Sequence, residues 1–198
     1  MYYSKINGVY KRYDLGPDKG KFITGHFSLP EYERLLDIEW LWTEKLDGTN
    51  AGIQFGDIFG DPILLGRTSK TVMSTPMIET LEAFAANHDS LHDREITVYG
   101  ELIGPKIQGN PYDLDAVKFV PFDIRNKHGN YWPKEYLYET FGDEAVRSVS
   151  LLTLRAAIDY FSSRTTPENN KEGWVGTPEL CDLRGNRITT KLKWVDFL

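Results

Sequence analysis

The sequence holds a single cysteine, Cys181, among 198 residues. That excludes an intrachain disulfide framework and any zinc site built on several thiolates, and it fits a reducing cytosol. A lone thiol between "TPEL" and "DLRGN" reads as a small buried residue rather than a nucleophile. Positive charge is not in excess either: 23 Lys and Arg against 29 Asp and Glu leave a net charge of −6. No global positive field draws in nucleic acid, so any polynucleotide contact must come from a local cluster of cations. There is no run of about 18 apolar residues, and the start "MYYSKINGVYKRYD" has no apolar signal segment. A cytoplasmic protein with no membrane partner is expected. His26, His88, His92 and His128 are scattered without metal-ligand spacing and are assigned no chemistry. Repeats, low-complexity tracts and Gly/Ser/Pro linkers are absent too, and one domain is the simplest organisation.

What is present is enough to bury a core: 40% of the residues are hydrophobic and 13% aromatic. Ser28, Pro30 and Glu31 form a capping-box pattern that predicts a short helix to about Leu36. Met77, Ile78, Leu81, Phe84 and Ala85 recur at helical spacing behind Thr75-Pro76 and predict an amphipathic helix. "KEYLYETFG" and "TLRAAIDYFSS" predict two more, the second capped by Thr153. Strands are predicted at "IEWLWTE", "NAGIQFG", "DPILLGRTS", "REITVYGELIG", "AVKFVPFDIRN", "EGWVGTPE" and "RITTKLKWVDF". Strands in hairpin succession with helices between them define an α+β class with mainly antiparallel sheets. The basic run "YKRYD" reads as a solvated surface segment.

Charged residues in or beside these apolar strands ask for an explanation. Lys45 stands two positions before Gly-directed turn chemistry in "WTEKLDGTNAG", where Asp-Gly alone would account for a tight turn between two strands. Lys191 and Lys193 are two apart and share one face of a strand, where they repel unless an anion lies between them. By the same parity Glu172 and Trp174 share a face in "EGWVG", with Val175 opposite. A polyphosphate with a metal ion would satisfy both patterns.

Six segments carry a family resemblance, in order along the chain from Lys45 to Trp194. "EKLDGTN" resembles motif I of the covalent nucleotidyltransferases, the superfamily of polynucleotide ligases and capping enzymes. "GRTS" resembles motif Ia, "YGELIGP" motif III, "FVPFDIR" motif IIIa, "EGWVG" motif IV and "KLKW" motif V. Within the superfamily, "KLDGTN", "GELIGPKIQGNPYDLD" and "KLKW" are most similar to ATP-dependent RNA ligases of phage type, in particular the second RNA ligase family. The resemblance covers roughly residues 20–198. It implies an adenylyltransferase domain with the nucleotidyltransferase (ATP-grasp-like) fold, mainly antiparallel sheets flanked by helices and a nucleotide pocket between sheets. A phage-encoded member would work in RNA repair in the host cytoplasm.

The roles that the resemblance implies are these. Lys45 is the nucleophile that attacks the α-phosphorus of ATP and forms a lysyl-AMP. A free lysine is almost wholly cationic at neutral pH, so burial beside Lys191 and Lys193 is expected to favour the neutral amine while nearby carboxylates oppose this. Glu44 and Arg67 contact the nucleotide, Arg67 at phosphate or ribose, and Glu101 takes a ribose hydroxyl or a metal-bound water. Phe122 stacks on adenine, with Phe119 as the alternative on the opposite face. Asp47, Glu101 and Glu172 hold hydrated Mg2+ or Mn2+, Glu172 also contacting the nucleotide. Lys191 and Lys193 neutralise phosphate charge, and Asn50 serves the later strand-joining step.

The sequence stops four residues after Trp194, so the expectation is one adenylyltransferase domain over 1–198, with no C-terminal OB-fold or helical domain. A protein partner could replace such a domain in gripping the ends. The partners implied are ATP and RNA with 5′-phosphate and 3′-hydroxyl ends. An ATP-dependent DNA ligase, a GTP-dependent capping guanylyltransferase and a non-catalytic nucleotide- or RNA-binding module remain as alternatives.

Overall fold

The computed structural model describes residues 2–56, 60–167, 171–178 and 187–198; the reading of Cys181 lies outside the described residues. The elements run β1 (Asn7–Gly8), β2 (Tyr10–Arg12), β3 (Phe22–Phe27), α1 (Pro30–Arg34), β4 (Glu39–Lys45) and β5 (Thr49–Gln54). They continue with β6 (Ile63–Gly66), α2 (Thr75–Asn87), β7 (Ile96–Ile103), β8 (Lys118–Asn126), α3 (Lys134–Phe141), β9 (Ser148–Thr153), α4 (Leu154–Ser162), β10 (Gly173–Pro178) and β11 (Thr190–Lys193). The chain divides into two compact units. One is Met1–Ser4 with Leu46–Val146, the other Lys5–Lys45 with Arg147–Leu198.

The first unit is built on an antiparallel sheet of order β6-β5-β7-β8. Alternation along its strands sends Ala51, Ile53, Ile96, Val98, Leu102 and Ile124 into one core. Helix α2 covers that core with Leu81, Phe84 and Ala85, while Met77 packs at its margin and Ile78 stays partly exposed. Two further features shape the sheet around β7. Gly48 has no room for a side chain, because a Cβ there would meet the Leu102 carbonyl oxygen and, at 2.7 Å, Glu101 Cγ. A β-bulge shifts the β7–β8 register between Tyr99 and Gly100.

The second unit holds a sheet of order β1-β11-β10-β4-β9, antiparallel except for the β1–β11 pair, and a separate ribbon of β2 and β3. Its core is aromatic. Trp40, Trp42, Trp174 and Trp194 are buried with Tyr32 and Phe161, and the Phe161 and Trp194 rings stack at 3.9 Å. Each such ring removes on the order of 150–250 Å² from water, so this indole cluster supplies a large part of the force that holds the sheet against α4. The cap expected of Thr153 is present: its hydroxyl oxygen accepts the Ala156 N–H at 3.1 Å, and Leu154, Ala157, Ile158 and Phe161 face inward.

Several expectations are corrected. The capping box does not form: Leu29 is the N-cap of α1, the helix ends at Arg34, and the Ser28 hydroxyl donates instead to the Gly8 carbonyl at 2.5 Å. That bond ties the helix entry to the amino-terminal strand, a tertiary partner that local pattern does not reveal. The "YKRYD" run is β2 in part; Lys11 is exposed, but Arg12 pairs with Asp196 at 2.5 Å and lies over the Phe22 ring. Strands β1, β3 and β9 were not anticipated, because "FITGHF" and "SVSLLT" lack strict apolar alternation. The "KLKW" strand ends at Lys193, and Trp194–Asp196 forms a 3₁₀ turn.

Candidate active site

Lys45 is the last residue of β4 rather than a hairpin residue. Strands β4 and β5 belong to different sheets, and the chain passes from one unit to the other between Lys45 and Leu46. The flanking strands of "WTEKLDGTNAG" therefore do not pair with each other, and Gly48 is needed for close approach to β7 rather than for a positive φ.

In the second unit β10 lies between β4 and β11, and Gly173 pairs with Lys45 on one side and Lys193 on the other. The two lysines thus stand in one row across three strands. The Glu172 carboxylate joins them: Oε2 accepts from Lys45 Nζ and Oε1 accepts from Lys193 Nζ. All three side chains are at most 28% exposed, so water screens these charges only partly. Burial works to raise the Glu172 pKa, but the hydrogen bonds from Lys193 and Lys45 outweigh it and hold the carboxyl below its ordinary range.

The parity expectation for "EGWVG" is overturned here. Trp174 and its cross-strand partner Leu192 point into the aromatic core, whereas Glu172 bonds to Lys193 on the other face. The reason is Gly173, whose φ of +152° breaks the strand alternation and whose missing Cβ leaves room for the Leu192 carbonyl.

Lys191 shares the face of Lys193, as the spacing predicts, and sits across from Val175. Burial first, then the positive charges of Lys193 and Lys45, push the Lys191 ammonium down to about 8; Glu172 opposes the shift and Lys5 adds to it. Lys5 precedes β1, which runs parallel to β11 with Gly8 opposite Lys191. Glu44 does not join this group. It pairs across from Trp174, and its carboxylate lies 3.5 Å from Lys171 Nζ. Lys171 and Lys5 were not singled out from the sequence; Lys171 sits directly before Glu172, and only the fold brings Lys5 to β11.

The first unit holds the remaining residues. Asn50 pairs across from Glu101 on β5 and β7, so the two side chains are neighbours on one face of the sheet. The Asp47 N–H donates to the Tyr112 hydroxyl at 2.9 Å, a contact that fixes the turn from within the "GNPYDLD" segment. Arg67 lies just past β6 and is exposed. Phe119 is buried in the core, edge-on to Phe84 at 5.0 Å, while Phe122 is half-buried.

Among the described residues no group of three or more His, Cys, Asp or Glu side chains could hold a metal ion directly. Both Glu172 oxygens already accept from lysines. A hydrated Mg2+ or Mn2+ asks for less than such a group, since it keeps several waters and takes one or two carboxylates together with substrate phosphates. No helix among the described residues is long and apolar enough to cross a membrane.

The RNA ligase family model matches residues 38–194. The chain belongs to the RNA ligase family. No sequence among the curated proteins matches it at a significant level. Among solved structures it is similar to the Naegleria gruberi RNA ligase with PPi, at 18% identity and a TM-score of 0.67, over 98% of this chain and 60% of that one. A lysine-to-alanine variant of the Naegleria gruberi RNA ligase with ATP and Mn matches at 19% identity and a TM-score of 0.63, over 83% of this chain and 52% of that one. At such identities the likeness establishes the fold alone, mainly antiparallel sheets flanked by helices, shared with these RNA ligases. The chain spans 52–60% of the length of these solved chains.

Proposed function

We propose that this chain carries the adenylyltransferase chemistry of an ATP-dependent RNA ligase, with Lys45 as the nucleophile. The observation that carries the reading is the Lys45–Glu172–Lys193 row with Lys191 beside it. A nucleophilic amine, one carboxylate and two further cations share one sheet face, and this set suits attack on an anionic phosphate. The N–P bond forms at Lys45 Nζ as the bond from the α-phosphorus to pyrophosphate breaks, and the amine proton is lost. An oxygen of an RNA 5′-phosphate then displaces the lysine and takes the AMP, and a 3′-hydroxyl displaces AMP to close the phosphodiester. Glu172 orients Lys45 Nζ, while Lys191 and Lys193 offset charge on the departing pyrophosphate. The carboxylates that the family resemblance assigns to a hydrated divalent cation are Glu172 of the second unit and Asp47 and Glu101 of the first, and the cation would supply further charge neutralisation on the triphosphate. Arg67 and Glu44 serve nucleotide binding, Phe122 receives the adenine, and Asn50 serves the joining step. With a net charge of −6, the grip on RNA ends rests on local cations or on a protein partner.

Incubation with α-labelled ATP or GTP and Mg2+ or Mn2+, followed by a denaturing gel, tests the reading. Label from ATP alone, released by pyrophosphate, is the expected result, with joining of RNA ends faster than joining of matched DNA ends. Label from GTP alone moves the chain to capping chemistry. Preference for DNA ends moves it to DNA ligation, and no label under any condition leaves a binding module.

Lys191 gives a second check. A polyphosphate bound beside it stabilises its charged form and raises its pKa from about 8. ATP or pyrophosphate binding is therefore expected to take up protons near pH 8 and almost none at pH 6, where Lys191 is already charged. Calorimetry in buffers of different ionisation enthalpy measures this, and uptake independent of pH would remove Lys191 from the phosphate site.

A further inference from the structure

Tyr3, to which no role is assigned in the proposed function, sits in an aromatic cluster of the first unit. The Tyr3 ring meets Phe122 edge-on at 5.0 Å, and it meets Tyr99 at 5.1 Å and Tyr131 at 6.0 Å. Its hydroxyl donates to Asp123 Oδ2 at 2.6 Å. Asp123 is 1% exposed, and its other oxygen lies 2.9 Å from Lys134 Nζ. The same ammonium donates to the carbonyl oxygen of Phe122.

Phe122 occupies the β-bulge. The ladder pairs Tyr99 with Asp123 and Gly100 with Pro121, which leaves Phe122 without a cross-strand partner to set its orientation. The backbone is held by Lys134, and the ring, packed against the core on its inner side, meets Tyr3 edge-on. Asp123 ties these two supports together, since it is bonded to both.

We propose that Tyr3 is a positioning residue of the nucleobase site: tethered by its hydroxyl to buried Asp123, it fixes the ring plane of Phe122 on which the base of the nucleotide stacks. The proposal rests on the reading that Phe122 receives the base. Tyr3 touches the stacking ring, so its loss is expected to act on binding of the base rather than on the labelling step. Tyr3→Ala is expected to raise the KM for ATP in Lys45 labelling roughly 10-fold, a share of what one base-stacking contact is worth. The labelling rate at saturating ATP stays within about 3-fold. Tyr3→Phe keeps the ring and loses only the tether, and falls between. Inorganic tripolyphosphate, which has no base, is expected to compete equally well against both variants and the wild type. A merely structural role would move that competition constant together with the KM.

An unchanged KM for ATP in a folded Tyr3→Ala protein, or a parallel shift for ATP and tripolyphosphate, overturns the proposal. Should the wild type take no label, ATP affinity measured by calorimetry on the same variants decides. Binding that Tyr3→Ala weakens then sustains the base site while the adenylylation reading fails. Binding that is equal in both, or absent from the wild type, overturns the proposal.

Discussion

Lys45→Ala is expected to abolish covalent labelling by α-labelled ATP, by more than about 10³-fold, if Lys45 is the nucleophile as proposed, because Lys191 and Lys193 extend from β11, which β10 separates from β4. The loss should not come from misfolding. Lys45 ends its strand, and after its removal Glu172 still accepts from Lys193, so the half-buried carboxylate is not orphaned. The stability cost is the order of one charged hydrogen bond, about 1.5–3 kcal/mol. Lys45→Arg separates charge from nucleophilicity. A guanidinium can keep the bond to Glu172 but does not deprotonate, so this variant should be folded, able to bind ATP, and unlabelled. Joining of an RNA end that already carries AMP bypasses the lysyl adduct, and it should fall far less than labelling in both variants. Label persisting in Lys45→Ala at the wild-type level would place the nucleophile elsewhere and remove the central claim.

The legible part of the lysine–carboxylate row was the part written in local order. Lys45, Glu172, Lys191 and Lys193 stand in motif sequence, and period-two spacing correctly put Lys191 and Lys193 on one face. The same period failed for Glu172 and Trp174, because it assumes an uninterrupted strand and Gly173 adopts a backbone angle that interrupts it. Asp-Gly after Lys45 looked like hairpin chemistry, yet Gly48 serves close packing against β7 while the chain crosses to another sheet. Contacts made at long range left no local signal at all. Tyr3 with Asp123, Lys5 beside β11 and Ser28 with the Gly8 carbonyl depend on pairings that neither composition nor spacing encodes. The same limit explains the missed strands. Strand β9 is an edge strand with Leu151 exposed, and its pattern reports that exposure rather than burial.

Glu172→Gln tests whether the carboxylate between the lysines is functional machinery or only a clasp. The substitution keeps the volume and removes the negative charge, so Lys45, Lys191 and Lys193 face one another without the anion that now joins two of them. A clasp alone would cost stability and leave the labelling rate of the folded fraction unchanged. If Glu172 orients the Lys45 amine and takes part in holding the hydrated cation, labelling at saturating ATP falls on the order of 10²-fold, as for loss of one preorganised electrostatic contact. We expect the second result. The stability difference between wild type and Glu172→Gln carries its own pH signature. The carboxyl titrates below its ordinary value of 4.5 in the folded protein, so its contribution is fully present above that value and disappears as the pH falls through the lower, folded pKa. Denaturant midpoints of the two proteins should therefore differ at pH 7 and draw together in acid. Midpoints that keep a constant separation from pH 7 down into acid would mean that the Glu172 charge is not what the two lysines hold.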